Sequence, residues 1–132
     1  MKGRGLEIEE MVAAAERAAG RAYAPYSNFR VGAAVLTEGG AVYTGCNVEN
    51  ASYGLTVCAE RNAAAAMALS GAREIRRVAI VSPDASPVFP CGACRQVLQE
   101  FGCKEVVVRE ASGVRRYPFS EILPHAFGSE SL

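Results

Sequence analysis

The order of strands and helices is decided by residues 78–108, VAIVSPDASPVFPCGACRQVLQEFGCKEVVV. Two short runs rich in β-branched residues, at positions 78–81 and 106–108, are typical of strands covered on both faces of a sheet. Between them, residues 91–101 carry apolar side chains at helical spacing. The segment therefore predicts a helix that lies between two buried strands.

Upstream of this segment the sequence predicts a helix, a β-hairpin and a second helix. Apolar residues at helical spacing place the first helix over residues 7–20. Alternating apolar residues on both sides of a Glu-Gly-Gly turn at 38–40 predict antiparallel strands at 31–35 and 42–43. An Ala-rich run predicts the second helix over residues 58–69.

Downstream of residue 108, positions 115–117 have strand character and positions 120–123 predict one short turn of helix. The predicted order is α-β-β-α-β-α-β, followed by these two pieces. No repeat, low-complexity tract or long linker divides the 132 residues. We therefore expect one α/β domain over residues 1–132.

Composition excludes several classes of protein. Half of the residues are hydrophobic and 21% are charged, unlike a disordered chain, and no apolar stretch approaches the ~20 residues of a membrane span. The 14 Lys and Arg residues balance 14 Asp and Glu, so no net charge attracts nucleic acid. The first residues lack an apolar export signal. We expect a cytoplasmic protein without membrane or nucleic-acid partners.

Three of the five cysteines stand at predicted helix N-termini: Cys58 on the second helix, and Cys91 and Cys94 on the third. The positive end of a helix dipole stabilises a thiolate, and residues three apart share one helix face. Such a set suits Zn²⁺. A redox pair at Cys91 and Cys94 is the alternative, although it has no use for a third thiol, and Cys58 alone could pack as a small hydrophobe.

The number of ligands separates a structural zinc site from a catalytic one. Structural sites use four protein ligands, whereas catalytic sites use three and leave one position for water. Cys46, Cys103 and His125, the single histidine, are the possible fourth ligands. Cys46 and Cys103 occupy strand or core positions and His125 lies near the C-terminus, so the sequence favours an open site.

Glu60 lies two positions after Cys58. A carboxylate beside an open metal site and shielded from water can carry protons. Residues two apart on a helix point to nearly opposite sides, so Glu60 reaches the metal only if Cys58 lies at or just before the first turn. Otherwise Glu60 is a solvated residue that favours the helix N-terminus through its charge.

Four motifs together resemble the cytidine deaminase family, the small homotetrameric kind. They are YSNFRVGAA at 26–34, GCNVENASYG at 45–54, CAERNA at 58–63 and PCGACRQV at 90–97, and LPHAF follows at 123–127. The third and fourth motifs follow the Cys₃ variant of the zinc deaminase signature. Phe89 departs from the serine common at that position, which leaves the shape of the preceding loop open.

The resemblance implies a three-layer α/β/α fold with a five-stranded mixed sheet. It implies one Zn²⁺ per chain, held by Cys58, Cys91 and Cys94, with Glu60 as the catalytic proton shuttle. Three thiolates give the zinc centre a net charge of −1, and the family pattern suggests that Arg61 offsets it by hydrogen bonds to sulfur. Otherwise Arg61 is a surface residue of the helix.

The resemblance also implies the contacts with a nucleoside substrate. The ring of Phe29 would stack on the pyrimidine, and two polar side chains would bind the ribose hydroxyls. Three further residues would reach the active sites of neighbouring subunits in a homotetramer. The full set of substrate contacts implied by the resemblance is Phe29, Asn47, Glu49, Ala51, Tyr53, Ala59 and Phe127, with Asn47 and Glu49 on the ribose and Ala51, Tyr53 and Phe127 crossing to neighbours.

The implied activity is hydrolytic deamination of cytidine and 2′-deoxycytidine in pyrimidine salvage, with release of ammonia. A deaminase of another cytosine compound, such as blasticidin S, shares the metal pattern. A structural zinc module would need a fourth protein ligand. A polynucleotide deaminase would need a basic track, whereas the candidate arginines are interspersed with Glu74 and balanced elsewhere: Arg73, Arg76, Arg77, Arg115 and Arg116.

Overall fold

The structure is a computed structural model and describes residues 4–132. Its helices and strands follow the predicted order, with the final strand and turn of helix included. They are α1 (Arg4–Ala19), β1 (Gly32–Thr37), β2 (Val42–Cys46), α2 (Ala59–Leu69), β3 (Ile75–Val81), α3 (Gly92–Glu100), β4 (Glu105–Glu110), β5 (Gly113–Pro118) and α4 (Phe119–Ile122). None of the helices within this range is long and apolar enough to cross a bilayer.

The five strands form one sheet in the order β2-β1-β3-β4-β5. β3 and β4 are parallel, and every other neighbouring pair is antiparallel. The parallel pair needs the long connection through α3, because a short turn can join only antiparallel strands. The expectation of a five-stranded mixed sheet is confirmed.

Helices cover both faces of the sheet. On one face, Ile8, Met11 and Ala15 of α1 pack against small and branched side chains of the central strands. On the other face, Met67 of α2 and Leu98 of α3 belong to the second core cluster. The three-layer arrangement is confirmed, and it places the N-termini of α2 and α3 on the same face.

Two glycines allow helices to lie directly on the hairpin. A Cβ atom at Gly32 would overlap the backbone of α1 at Ala15, and one at Gly45 would overlap the backbone of α2 at Ala63. The two contacts come from opposite faces. Close contact with Gly45 fixes the first turn of α2 against β2.

Cys58 and Cys91 each lie one residue before a helix, as the N-caps of α2 and α3. The sequence analysis placed both cysteines at the first helical position, so the boundary shifts by one residue. The shift satisfies the condition set for Glu60, which now lies in the first turn of α2 after a cap with extended backbone.

Candidate active site

The sulfur atoms of Cys58, Cys91 and Cys94 lie within 4.8 Å of one another. α2 contributes the first from its N-cap, and α3 contributes the other two from its N-cap and first turn. Cys91 Sγ accepts a hydrogen bond from the Cys94 backbone N–H at 3.4 Å, so the thiol also caps the helix. Within residues 4–132, no other histidine, cysteine or carboxylate joins this group.

This group fits a zinc ion. Thiolates lie about 2.3 Å from zinc, and two ligands of a tetrahedron are then about 3.8 Å apart. The sulfurs of Cys58 and Cys91 are separated by 3.8 Å. Three thiols at two helix N-termini supply the soft, negative donor set that zinc prefers.

Arg61 balances the negative charge of this group. Its Nη2 atom lies 3.6 Å from Cys58 Sγ and 3.4 Å from the Thr56 carbonyl oxygen. Its Nε atom is buried and finds no acceptor in the part of the chain that the structure describes. The guanidinium is therefore directed at the sulfur group and is not free on the surface.

The thiols of Cys58 and Cys94 differ in pKa. Hydrogen bonds from the Cys94 thiol and from Arg61 lower the pKa of Cys58 to about 5, although partial burial opposes this. The hydrogen bond to Cys58 and burial raise the pKa of Cys94. Cys58 therefore ionises more readily than Cys94.

Glu60 is 4% exposed and lies in the first turn of α2, two residues after Cys58. Burial, with a smaller contribution from the charge of the neighbouring Cys58, raises the pKa of its carboxyl group to about 7. Among the described residues, Glu60 forms no salt bridge that would hold it ionised. A carboxyl group that titrates near neutrality can both accept and release a proton.

Asn47 and Glu49 both hold the segment that contains Phe29. Asn47 is buried, its Oδ1 accepts from the Val31 N–H at 2.8 Å, and its Nδ2 donates to the Phe29 carbonyl at 2.8 Å. Glu49 Oε1 accepts from the backbone N–H groups of residues 26 and 27, and Oε2 accepts from the Ser27 hydroxyl. This anchoring of the 26–31 segment was not predicted.

Glu49 also lines an open cavity of about 330 Å³ together with Tyr26, Ser27, Tyr53 and Thr56. The ring of Tyr53 meets that of Tyr26 edge-on, with 6.5 Å between centroids. Thr56 lines this cavity, and its carbonyl accepts a hydrogen bond from Arg61. Since Arg61 also donates to Cys58 Sγ, its side chain links the cavity wall to the cysteine group.

The remaining predicted contacts lie at other places. Ala59 is fully buried in the core at the start of α2. Ala51 is exposed, and Tyr53 and Phe127 are 77% and 59% exposed. Phe127 does not line the cavity beside Glu49, and its carbonyl accepts from Gln96 Nε2 of α3 at 2.9 Å.

Three contacts at the site were missed by the sequence analysis. Asn62 Nδ2 donates to the Cys46 carbonyl at 2.8 Å and ties α2 to the end of β2. Arg95 Nε donates to the carbonyl of Pro90, directly before Cys91, at 2.8 Å. Asp84 binds Arg30 next to Phe29. The sequence carries no local signal for any of the three, because each joins segments that are distant or irregular.

A comparison with known protein families matches the part of the chain that contains the cysteine group. Residues 6–110 match the family model described as the cytidine and deoxycytidylate deaminase zinc-binding region. The chain belongs to this family. Phe89, directly before Pro90, packs edge-on against Tyr117, with 5.4 Å between ring centroids.

Relatives in the family match nearly the whole chain. The cytidine deaminase of Sporosarcina psychrophila is 42% identical over 130 residues, which cover 96% of each chain. That of Mycobacterium tuberculosis H37Rv is 47% identical over 118 residues, or 89% of this chain and 87% of the relative. The crystal structure of cytidine deaminase from Burkholderia pseudomallei superposes with a TM-score of 0.83 at 47% identity, covering 90% of this chain and 98% of that one.

Proposed function

We propose that this protein is a zinc-dependent cytidine deaminase. It converts cytidine and 2′-deoxycytidine to uridine and 2′-deoxyuridine by hydrolysis and releases ammonia. The observation that carries the proposal is a buried carboxyl group, Glu60, beside three converging thiols. The cytidine deaminases of other organisms, which match this chain over nearly its whole length, support the same activity.

Cys58, Cys91 and Cys94 would hold one zinc ion per chain. When bound, zinc lowers the pKa of water and so supplies a hydroxide nucleophile at neutral pH. Arg61, by donating to Cys58 Sγ, withdraws charge from the thiolates and offsets the net charge of −1.

Glu60 carries protons during the reaction. Its carboxylate accepts a proton from water and delivers it to N3 of the cytosine ring while oxygen adds at C4. It then transfers the second proton of the water to the amino group, the C4–N bond breaks, and ammonia leaves. Both transfers require a carboxyl group that changes its protonation state near pH 7, which its burial provides.

The segment around Phe29 would bind the nucleoside. The Phe29 ring, 37% exposed, stacks on the pyrimidine. Asn47 retains one N–H and Glu49 retains free lone pairs beyond their backbone contacts, and these bind the ribose hydroxyls. A 3′-phosphate would face the charge of Glu49, so nucleotides within a strand are poor substrates.

The active species would be a homotetramer. Tyr53 and Phe127 are large apolar side chains that stand exposed on this chain, and with Ala51 they complete the active sites of neighbouring subunits. The whole chain, residues 1–132, works as one catalytic domain in cytoplasmic pyrimidine salvage. Light scattering coupled to an activity assay tests the assembly, and a fully active monomer would contradict the shared site.

The substrate assignment is tested by ammonia release from cytidine, 2′-deoxycytidine, cytosine, CMP and a single-stranded oligonucleotide. The two nucleosides should react well, with little change between about 50 and 200 mM salt, where phosphate binders lose affinity. Cytosine should react poorly because it leaves Asn47 and Glu49 without their ribose partners. Efficient deamination of the oligonucleotide, or equal rates on cytosine and cytidine, would overturn the assignment.

A further inference from the structure

Arg30 and Asp84 are joined by three hydrogen bonds on the segment that contains Phe29. Asp84 Oδ2 accepts from the Arg30 backbone N–H at 2.8 Å and from its Nε at 3.1 Å, and Oδ1 accepts from Nη2 at 2.8 Å. The Asp84 carboxylate thus binds the guanidinium of Arg30 in bidentate geometry and also binds its backbone N–H. We call these three hydrogen bonds the Arg30–Asp84 clasp.

The sheet places the two residues of the clasp beside each other. Gly32 of β1 pairs with Val81 of β3, so the chain entering β1 runs next to the chain leaving β3. Ser82 is buried, and its hydroxyl accepts from the Asp84 N–H at 3.0 Å, which fixes the turn that presents the carboxylate. The clasp therefore joins the chain just before β1 to the turn just after β3.

The clasp holds the Phe29 segment from the side opposite to its other anchors. Asn47 and Glu49 hold the segment from the chain that follows β2, whereas Asp84 holds it from the end of β3. Asn28 has a φ of 57°, in the left-handed region that Asn tolerates better than most non-glycine residues. The anchors lie on both sides of this turn in the chain.

We propose that Asp84 is a positioning residue for the ring of Phe29, acting through Arg30, and that the clasp sets how tightly the nucleoside is bound. The inference rests on the proposed function, because it assumes that Phe29 stacks on the base. Both clasp side chains are partly exposed, so the pair adds little to global stability. Its effect is local: it fixes the backbone directly after Phe29.

Asp84→Asn and Arg30→Ala test the proposal, with Glu38→Gln as the matched control. Glu38 follows the opposite end of β1, where its Oε2 accepts from Lys104 Nζ at 2.7 Å and its Oε1 lies 3.8 Å from Arg76 Nε, so this variant also removes a charge from surface ion pairs. In each clasp variant the KM for cytidine should rise about tenfold with kcat within about twofold, since uniform binding is lost and the chemistry is untouched. Zinc content and Tm should match those of the control.

The double variant separates a positioning pair from two independent contacts. If the clasp acts as one unit, the KM of Arg30→Ala/Asp84→Asn should equal that of the worse single variant and not the product of both effects. A KM within about twofold of the control in both single variants overturns the proposal. Multiplying effects in the double variant overturn it too.

Hydrogen exchange gives a second readout that needs no substrate. The amides of Phe29 and Arg30 should exchange faster in Asp84→Asn than in wild type or Glu38→Gln, because the one remaining side-chain oxygen cannot accept from both the Arg30 N–H and its guanidinium. Unchanged exchange overturns the clasp as an anchor. A wild-type chain that releases no ammonia from cytidine contradicts the proposed function instead, and the exchange data then decide the clasp separately.

Discussion

Glu60 and Arg77 are charged side chains that are each only 4% exposed, yet their surroundings differ completely. Arg77 donates to Glu7 and Glu105, one acceptor on each side, and Glu105 also accepts from Arg116 at 2.9 Å. Glu60 has no such partner among the described residues and sits beside thiols instead.

The difference shows what each buried charge is for. Burial alone would raise the pKa of Glu105, but the hydrogen bonds from Arg77 and Arg116 lower it, so this cluster stays ionised. Burial of Glu60 without a salt bridge raises its pKa to about 7. A paired buried charge is fixed and structural, whereas an unpaired one is expensive to keep and available for proton transfer.

Replacing Glu60 by Gln gives the largest expected effect. The amide keeps the shape of the side chain but cannot accept and release a proton near pH 7, so kcat should fall about 10²- to 10⁴-fold. Zinc content should be unchanged and Tm equal or higher, because a neutral amide is easier to bury than a charge. Ammonia release, metal analysis and thermal melting check the three expectations. Activity within about tenfold of wild type would remove Glu60 from the reaction.

Replacing Arg77 by Met should reverse this pattern. The loss leaves Glu7 and Glu105 facing each other without their shared cation. The free energy of unfolding should fall by about 3 kcal/mol, while kcat per folded molecule stays at the wild-type value. Denaturant titration measures the change. Arg76→Met is the control, because Arg76 is more exposed and its carboxylate contacts are 3.8–3.9 Å long; equal losses would contradict the role of burial.

Arg61→Ala tests whether the positive charge of Arg61 is needed to offset the negative charge of the three thiolates. Without the donor to Cys58 Sγ, zinc affinity or activity should drop about 10- to 100-fold, as for other groups that support metal ligands. Competition with a chelator measures the affinity. Arg73→Ala should retain zinc like wild type, because Arg73 follows α2 and donates to the Ala68 carbonyl at the far end of that helix. If both variants hold zinc and react equally well, Arg61 has no role at the metal.

Glu16→Gln should have the smallest effect. Glu16 Oε2 lies 3.0 Å from Arg109 Nη1, but the pair is more exposed than the Arg77 cluster. Its loss should change the free energy of unfolding by less than about 1 kcal/mol and leave activity intact. The same denaturant titration compares it with Arg77→Met. A loss as large as that of Arg77→Met would show that ion pairing, and not burial, governs stability here.

Most helices and strands could be predicted because the local pattern of apolar residues determines them. The helices and the first four strands have clear apolar periodicity, and the cysteines mark helix starts to within one residue. β5 was recognised only at residues 115–117, because most of its positions are exposed and it lacks an apolar stripe. The strand order depends on long-range pairing and was not predicted, because the family resemblance implied only a five-stranded mixed sheet.

The candidate site divides in the same way. Cys58, Glu60 and Arg61 lie within one turn of chain, so helix geometry could state the condition under which Glu60 reaches the metal, while the role of Arg61 came from the family resemblance. Arg30 and Asp84 are 54 residues apart, and Arg77 and Glu7 are 70 apart. No local pattern announces such contacts, since only the folded sheet brings the partners together. The anchoring of Phe29 by Asn47 was hidden for the same reason.

Gly32 and Gly45 have a practical meaning for anyone who engineers this enzyme. Exchanging glycine for alanine is a standard stabilising move, because it narrows the conformations open to the unfolded chain. At these two positions the added methyl group would push a helix off the hairpin. At Gly45 the displaced helix is the one that begins at Cys58. A library of variants made for thermostability should therefore keep glycine at both positions. A substitution at Gly45 would disturb the metal centre together with the fold.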